Sequence, residues 1–397
     1  MRIALVSQEY PPETAHGGIA SQTYLKAHGL TELGHSVHVI SRSGDGTHRR
    51  ARDGDVDVTR LGVLHDGAVS HTDVADWITH STQVAAELTR THAEAPYDII
   101  EFPEYGAEGY VYLLNRTEWN RVPVVVQLHG PLAMLADEIG WPAIDSELYR
   151  VGTHMEATCV RLADAVFASS TTSADWCARA YGRARADFSI IHSGVDVAAF
   201  RPGITEKDDR PTIVFVGRIA RSKGVDALVE AAISLAAARP ALRVRLIGRE
   251  DDGVGAQLRS RAGAGGHPQL LEFTGFLTGE DLPRELGRSH VFAAPSVYEG
   301  GPGLVYLEAM ACEVPVVACK GSGVEETITD GVTGRLIAPG DHDALVDALG
   351  QLLDDPPNRN AMGAAGRRFV VEHADTRACL RRIESFYADV VSAQVDR

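Results

Sequence analysis

Short runs of apolar and β-branched residues alternate with longer stretches of helical periodicity along the whole chain. Apolar runs without an alternating polar face are typical of strands that are buried on both faces of a parallel sheet. Their alternation with helices predicts repeated βαβ units. The predicted strands lie at residues 3–6, 37–40, 56–61, 99–102, 122–128, 165–168 and 188–191, and then at 212–216, 244–248, 270–274, 291–294, 314–318 and 335–337.

This strand pattern is interrupted at residues 203–211, which are polar and contain no apolar run. We therefore predict an N-terminal domain over 1–203 and a C-terminal domain over 204–375, each a Rossmann-like, doubly wound parallel sheet, with the two domains facing each other across a cleft. Residues 376–397 carry apolar side chains at helical spacing with arginines between them, which predicts an amphipathic helix that packs back on the N-terminal domain. These side chains are Cys379, Leu380, Ile383, Phe386 and Tyr387.

Composition and charge narrow the class of protein. The chain has 397 residues, of which 44% are hydrophobic and 6% aromatic, as in an ordinary α/β enzyme. Its net charge of −16 argues against a nucleic-acid surface, which needs a basic face, and disfavours docking on an anionic membrane. The 5 cysteines include no C-x-x-C pair, and the N-terminal apolar run, Ile3–Val6, is too short for a signal peptide. We therefore expect a cytoplasmic protein.

A glycine-rich turn between two carboxylates, Glu299 and Glu308, follows the predicted strand at 291–294. Its glycines allow backbone N–H groups to approach an anion, and the helix predicted from Leu304 adds its positive dipole end. The two carboxylates suit vicinal sugar hydroxyls, because each accepts charge-assisted hydrogen bonds. The segment predicts a nucleotide-sugar site, the alternative being a loop with a helix-capping glutamate. The glycines are Gly300, Gly301 and Gly303.

Two cations, Arg218 and Lys223, lie in the loop between the strand at 212–216 and the next predicted helix. Both side chains can reach the crevice at the carboxyl end of the sheet, where a pair of cations suits a diphosphate. The chain has only four lysines, at 26, 207, 223 and 320, so a lysine in this loop departs from its preference for arginine. The alternative is a surface loop with two exposed cations.

Three further segments follow strands of the first half. Gly17-Gly18, after the first strand, lets backbone approach a phosphate or acts as a hinge. His129, followed by Gly130, lies at a strand end, where it either hydrogen-bonds a ligand or packs as an ordinary histidine. Glu101 and Glu104 either bind the hydroxyls or amines of an acceptor or cap the next helix.

Several other chemistries lack support in the sequence. No serine-hydrolase order, H-E-x-x-H motif or P-loop occurs. Asp55-Val56-Asp57 has the spacing of a D-x-D element, but it continues into a strand with no acidic partner nearby, so we interpret it as a solvated strand entry. We predict no metal site and no cofactor.

In combination, these segments resemble glycosyltransferase family 4, a family of retaining nucleotide-sugar glycosyltransferases with the two-domain GT-B fold. The resemblance spans nearly the whole chain, and its strength lies in the order and spacing of several loose motifs. These motifs are Gly17-Gly18, His129-Gly130, Ser193-Gly194-Val195-Asp196 with Phe200-Arg201-Pro202, Gly217-Arg218 with Lys223-Gly224, Phe273-Thr274-Gly275-Phe276, the Glu299 to Glu308 segment, Glu326, Asp330-Gly331 and Thr333-Gly334.

The resemblance implies a role for each candidate residue. Arg218 and Lys223 hold the donor diphosphate, with Gly17 and Gly18 approaching from the other domain. Glu308 binds the ribose diol, and His129 lies beside the reacting centre. The remaining donor contacts are the base at Phe276 and Leu277 and the transferred sugar at Glu299, Gly300 and Gly301, with Gly303 and Leu304 at the helix entry.

The resemblance also implies the type of reaction, without any side-chain nucleophile. The donor is a nucleoside-diphosphate sugar, a UDP-sugar first and a GDP- or ADP-sugar next, and the acceptor is a small molecule or a saccharide, with a lipid-linked acceptor as an alternative. Eight residues separate Glu299 from Glu308, one more than is usual in the family, which bears on the role of Glu299. A sugar-nucleotide epimerase and a non-catalytic binding module are the alternative functions.

Overall fold

A computed structural model of the protein describes residues 1–14, 17–62, 72–117, 121–277 and 279–395. Its contacts divide the chain into two compact units, which are described separately below. Unit 1 comprises Met1–His192 and Arg377–Arg397, and unit 2 comprises Ser193–Thr376.

Unit 1 is built around an eight-stranded sheet in the order β3-β4-β2-β1-β5-β6-β7-β8. All neighbouring strands are parallel except β3, which pairs antiparallel with β4. Its strands are β1 (Arg2–Val6), β2 (Ser36–Arg42), β3 (Arg49–Asp53), β4 (Val56–Leu61), β5 (Ile99–Pro103), β6 (Val124–Leu128), β7 (Ala165–Ala168) and β8 (Phe188–Ile190). Its helices before the unit boundary are α1 (Gly18–Glu32), α2 (Asp73–Glu94), α3 (Tyr110–Leu114), α4 (Leu132–Ile139), α5 (Thr153–Leu162) and α6 (Thr171–Tyr181).

The core of unit 1 lies on both faces of this sheet, as parallel strands require. Successive side chains of a strand point to opposite faces, so Ala4 and Val6 of β1 join the apolar cluster on one face, while Ile3 and Leu5 join the cluster on the other. In register, Ile3 pairs with residues of both β2 and β5. β1 is therefore a central strand, and the loop that follows it opens at the middle of the sheet.

Unit 2 has a six-stranded sheet in the order β11-β10-β9-β12-β13-β14, with every neighbouring pair parallel and one continuous apolar core. Its strands are β9 (Thr212–Val216), β10 (Arg243–Ile247), β11 (Leu271–Gly275), β12 (Val291–Ala293), β13 (Val316–Cys319) and β14 (Gly334–Ile337). Its helices are α7 (Val225–Ala236), α8 (Val254–Ala264), α9 (Asp281–Arg288), α10 (Leu304–Ala311), α11 (His342–Asp354) and α12 (Pro356–His373).

The last helix, α13 (Thr376–Val395), packs on the sheet of unit 1. Leu380, Ile383 and Tyr387 join the apolar cluster on the face that holds Ile3 and Leu5. The Nε2 atom of His35 lies 2.9 Å from the Oε1 atom of Glu384. The amphipathic helix expected from the sequence is therefore present, and its apolar face belongs to unit 1.

The division between the units lies at His192 and Ser193 rather than at the predicted 203/204. The polar residues at 203–211 contain no apolar run, but the segment before them packs on unit 2. Val195 pairs with Asp375 in an isolated bridge, and the Arg367 guanidinium donates to the backbone oxygen of Phe200 at 3.0 Å. The connection is thus anchored by contacts that its sequence does not reveal.

Of the helices within the described ranges, none combines the length and the apolar character that crossing a membrane requires.

Candidate active site

Each of the two sheets contains a reversal of strand order near its centre, and several of the candidate residues lie on or after the strands that flank it. In unit 2 the reversal lies between β9 and β12. In open parallel sheets, ligands bind beyond the carboxyl ends of the strands that flank such a reversal. Arg218 and Lys223 follow β9, and the Glu299 turn follows β12, so the sequence-predicted donor residues lie at the expected place in unit 2.

Lys223 and Glu299 lie in direct contact. The Nζ atom of Lys223 donates to the Oε1 atom of Glu299 at 2.8 Å. The side chains remain 33% and 18% exposed, so a ligand can reach both of them. Arg218 is 62% exposed, and its Nε atom lies 3.8 Å from the Oδ1 atom of Asp251. At this distance and exposure the ion pair is weak, so the Arg218 guanidinium can turn toward an anion.

The two loops that carry these side chains are fastened to each other. The backbone N–H of Val297 and the hydroxyl of Ser296 both donate to the backbone oxygen of Ser222 at 3.3 Å. Gly224 has a φ of +73°, and a Cβ atom there would overlap the carbonyl of Pro295. Only glycine allows this approach, and the approach places Lys223 next to Glu299.

The glycine-rich turn is braced by the loop that follows β13. The N–H of Gly323 donates to the backbone oxygen of Glu299 at 2.9 Å, and the Thr327 hydroxyl donates to the backbone oxygen of Pro302 at 3.4 Å. Gly303, at a φ of +67°, precedes α10 without a side-chain cap. The hydrogen-bonded turn therefore accommodates the extra residue between Glu299 and Glu308, and the side chain of Glu299 still reaches Lys223.

Glu308 lies on α10 and is only partly exposed. Its carboxyl group makes no hydrogen bond or ion pair with any residue that the structure describes. Burial raises the pKa of Glu308 to about 8, so the group is mostly protonated at neutral pH. A carboxyl group that is desolvated and has no partner is suited to a ligand that supplies hydroxyl donors.

Phe276 is exposed at the carboxyl end of β11, with 53% of its surface accessible. The guanidinium of Arg249 lies 5.3 Å from the centre of its ring. Leu277 is partly buried and packs against the core of unit 2. The sequence analysis did not select Arg249, although it follows β10 just as Arg218 follows β9, and that shared position is the signal that would have found it.

In unit 1 the reversal lies between β1 and β5. Gly17 is the extended N-cap residue of α1, which has no side-chain cap. The carboxylate of Glu9 accepts a hydrogen bond from the backbone N–H of Ala20, and burial together with the charge of Glu108 raises the pKa of Glu9. A carboxyl group that the sequence analysis missed thus lies at the helix terminus where Gly17 and Gly18 were expected to approach phosphate.

Glu104 is fully buried, and its position argues against the predicted contact with an acceptor. Its carboxyl oxygens accept hydrogen bonds from the backbone N–H of His129, at 2.7 Å to each oxygen, and from that of Gly130. Burial raises the pKa of Glu104 to about 7. Glu104 therefore shapes the loop that carries His129.

Glu101 is also buried, and both of its oxygens are occupied. One accepts from the Nζ atom of Lys26, and the other accepts from the hydroxyl of Tyr387 on α13. An acceptor would have to break both contacts to reach this carboxylate. These contacts fix α1 and α13 to the centre of the sheet, and they argue against the predicted contact of Glu101 with an acceptor.

His129 is partly buried, and its imidazole makes no hydrogen bond with the described part of the chain. Burial, and secondarily the charge of Lys26, lower the pKa of His129 to about 3, so the ring is neutral at physiological pH. The segment after it is held by Glu156, which accepts from the N–H of Leu132 at 2.8 Å and from the hydroxyl of Tyr181 at 2.6 Å. Nothing in the spacing of Glu156 distinguishes it from other helical glutamates, so the sequence analysis did not find it.

Within the described ranges, no three or more His, Cys, Asp or Glu side chains form a group that could hold a metal ion. All 5 cysteines lie in the described part of the chain and are buried, and none of them forms a disulfide bond there.

Comparison with known proteins identifies the family of the chain. The family model for Glycosyltransferase Family 4 matches residues 16–199, and that for Glycosyl transferases group 1 matches residues 196–369. The chain is 31% identical to an alpha-maltose-1-phosphate synthase of Mycolicibacterium smegmatis, over 94% of this chain and 95% of that protein. It is 29% identical to a GDP-mannose-dependent monoacylated alpha-(1-6)-phosphatidylinositol monomannoside mannosyltransferase of Corynebacterium glutamicum, over 92% of each.

Solved structures show the same fold. The sucrose-phosphate synthase of Thermosynechococcus elongatus aligns over 99% of both chains with a TM-score of 0.82 at 23% identity. WaaG, a glycosyltransferase involved in lipopolysaccharide biosynthesis, aligns with a TM-score of 0.74 over 97% of this chain and 99% of that one. Both the fold and the nearly full-length relationship to the synthase of M. smegmatis show that the chain is a glycosyltransferase of family 4 with the GT-B fold.

Proposed function

We propose that this glycosyltransferase moves a hexose or N-acetylhexosamine from a nucleoside-diphosphate sugar to an acceptor hydroxyl, with retention of the anomeric configuration. One observation carries the proposal: the charged groups at the β9 and β12 ends of unit 2 have few protein partners. Among the described residues, the side chain of Lys223 pairs only with Glu299 and that of Glu308 has no polar partner, while Arg218 is mostly exposed. Such groups are poised for a charged, hydroxyl-rich ligand.

The proposed chemistry depends on stabilising the leaving diphosphate. Negative charge on the diphosphate increases as the glycosidic bond breaks, and Lys223, Arg218 and the amino end of α10 supply positive charge there. The loops that carry these groups are fastened to each other, so little reorganisation is needed during the reaction. As the family resemblance implies, the acceptor hydroxyl attacks on the face from which the nucleotide leaves, and its proton passes to the departing phosphate.

Glu299 and Glu308 take separate roles in this proposal. Glu308 binds the ribose diol, because its carboxyl group has no polar partner in the part of the chain that the structure describes. Glu299 contacts the transferred sugar through the oxygen that Lys223 does not use, while Gly300 and Gly301 supply backbone. Its contact with Lys223 keeps it within reach of the diphosphate, in spite of the extra residue in the turn.

His129 is proposed to act as a neutral group. A ring whose pKa is about 3 is a poor proton acceptor at neutral pH, so we assign it a hydrogen bond to the sugar rather than general-base catalysis. Glu104 holds its backbone in place. Phe276, Leu277 and Arg249 are proposed to receive the base.

The names of relatives guide the choice of substrates. Relatives from C. glutamicum and M. smegmatis are named as GDP-mannose-dependent mannosyltransferases, whereas the HepE protein of Anabaena, 20% identical, was solved with UDP-glucose. GDP-mannose is therefore a donor to test beside the UDP-sugars that the sequence analysis placed first. The expected acceptor stays a small molecule or a saccharide, and the expected cytoplasmic location stays a prediction.

The test is an incubation of the protein with a labelled donor, followed by NMR of the products. With a sugar acceptor present, we expect a new glycoside whose anomeric configuration matches that of the donor. An epimerised nucleotide sugar without acceptor would support the epimerase alternative, and binding without any turnover across donors and acceptors would support the binding module. A product of inverted configuration would contradict the retaining reaction.

A further inference from the structure

Unit 1 contains a cavity, open to solvent, that the proposed reaction does not use. Its volume is about 330 Å³, and it lies among α4, α5, α6 and the turn at Leu148–Gly152. Its walls include three aromatic rings, those of Tyr149, Trp176 and Tyr181. Small-molecule sites start at about this size, so the cavity has room for one or two sugar rings.

Residues with polar side chains line this cavity. They are Asp137, His154 and Tyr149, which carry a carboxylate, an imidazole and a hydroxyl group, and the side chains of Asp137 and His154 are exposed to solvent. None of these groups makes a hydrogen bond or ion pair with the described residues, and the same holds for the indole N–H of Trp176. Most side-chain polar groups that are not satisfied by protein are satisfied by water or by a ligand. Hydrogen-bond acceptors, hydrogen-bond donors and aromatic side chains are thus present together in one concave site.

The chemistry of the lining distinguishes between classes of ligand. No lysine or arginine of the described ranges lines the cavity, so a phosphorylated ligand would place its charge beside Asp137 without a compensating cation. The remaining lining residues are small, and they offer no long apolar channel for an acyl chain. A neutral sugar fits both conditions, because its hydroxyls hydrogen-bond the carboxylate and imidazole while its C–H face packs on an aromatic ring.

We propose that this cavity is a binding site for a neutral saccharide, separate from the donor residues of unit 2. It also connects to the loop that carries His129. Glu156 accepts hydrogen bonds both from Tyr181, in the cavity wall, and from the N–H of Leu132, three residues after His129. A saccharide held here therefore lies against the element that positions that loop. The binding itself does not depend on the proposed transfer reaction.

The test is ligand-observed saturation-transfer NMR on the full chain without donor, with methyl α-D-mannopyranoside and maltotriose as probes. We expect at least one probe to bind with a dissociation constant of about 1 mM. Asp137→Asn is expected to weaken this binding about tenfold, through loss of a charge-assisted hydrogen bond. The matched control is Glu138→Gln, an exposed neighbour on α4 that does not line the cavity, and it is expected to leave binding unchanged.

Further variants show which site gives rise to the saturation-transfer signal. Both Asp137 and His154 are exposed, so Asp137→Asn and His154→Ala are expected to fold normally. Glu308→Ala, which alters the donor site, is expected to leave the signal unchanged. Loss of the signal in Glu308→Ala with retention in Asp137→Asn would place the sugar in unit 2 and overturn the proposal. Absence of saturation transfer to both probes, or binding that neither Asp137→Asn nor His154→Ala weakens, would overturn it as well.

Discussion

Both units place carboxylates close to a reversal of strand order, on or after the strands β5 and β12, but the surroundings of these carboxylates differ. In unit 1, Glu101 and Glu104 are buried, and their oxygens are occupied by Lys26, by Tyr387 and by backbone N–H groups. In unit 2, Glu299 has one ionic partner and Glu308 has no polar partner among the described residues. A position near a reversal of strand order is therefore shared, and the number of protein partners distinguishes the carboxylates of unit 1 from those that we propose to bind ligand in unit 2.

This difference has a physical basis. A buried carboxylate costs free energy unless its oxygens accept hydrogen bonds, so a site that leaves one without a partner lowers the stability of the ligand-free protein. A bound ligand offsets this cost by forming hydrogen bonds with the buried group. Buried polar groups without a protein partner are therefore typical of binding sites. In unit 1 the same residue type stabilises loops. The following experiments test this contrast, in order of decreasing expected effect.

Replacement of Lys223 by alanine is expected to have the largest effect. If Lys223 stabilises the charge that develops on the leaving diphosphate, Lys223→Ala lowers kcat by about 10²–10³-fold and raises KM for the donor much less. Steady-state kinetics measures both constants. Lys320→Ala is the matched control, because Lys320 is an exposed lysine after β13 of the same unit. An equal effect of the two variants, or a change confined to KM, would contradict the assigned role.

Replacement of Glu308 by alanine is expected to weaken nucleotide binding by about 2–4 kcal/mol, because the ribose hydroxyls lose their acceptor in a desolvated site. Titration calorimetry measures the dissociation constant directly. Glu325→Ala, at an exposed glutamate of unit 2, serves as the control. An unchanged dissociation constant in Glu308→Ala would show that Glu308 does not bind the nucleotide. It would also contradict the proposed difference between the two units.

Replacement of Glu104 by glutamine tests whether this carboxylate of unit 1 has a structural role. We expect a loss of about 1–3 kcal/mol in the free energy of unfolding, since an amide N–H₂ group would face the N–H groups of His129 and Gly130. Chemical denaturation measures this loss. The affinity for the donor nucleotide should stay near that of the unmodified protein. A variant of full stability with a raised KM for the acceptor would instead support the original assignment of Glu104 to acceptor binding.

The pH dependence of donor affinity is expected to show the smallest effect. Glu308 of the free protein has a pKa of about 8, raised by burial, and hydrogen bonds from the ribose diol favour its ionised form. Binding then releases a proton below pH 8, so affinity rises with pH by at most about tenfold per unit and levels off above pH 8. Titrations with an intact nucleotide sugar from pH 6 to 9 measure this slope. Glu308→Gln should abolish it, and affinity that falls as pH rises would contradict the assignment.

The strands could be predicted from the sequence wherever their burial requires a run of apolar residues. Apolar runs located the strands of both sheets, because strands covered on both faces must be apolar. The exception is β3, whose sequence, Arg-Arg-Ala-Arg-Asp, has no apolar pattern, since it lies at the sheet edge and is largely exposed. The unit boundary also differed, because Val195 and Phe200 are held by the distant residues Asp375 and Arg367.

The candidate site was predictable to a different degree in each unit. In unit 2 the glycines and cations of the loops after β9 and β12 sufficed to bring Lys223 and Glu299 into one site. In unit 1 the sequence placed Glu101 and Glu104 at a strand end, but it did not show which way they turn. Their partners, such as Tyr387, are far away along the chain, so only the folded arrangement reveals that these carboxylates are already occupied.

The account depends on one proposal, that Arg218, Lys223, Glu299 and Glu308 of unit 2 form the site for a nucleoside-diphosphate sugar. The most direct test is a thermal-shift screen of the protein, and of Lys223→Ala and Glu308→Ala, against UDP, GDP, ADP and their sugar conjugates. We predict that one nucleotide raises Tm, by the linkage between binding and unfolding, and that both variants lose most of this shift. No shift with any nucleotide, or a shift that both variants retain in full, would contradict the account.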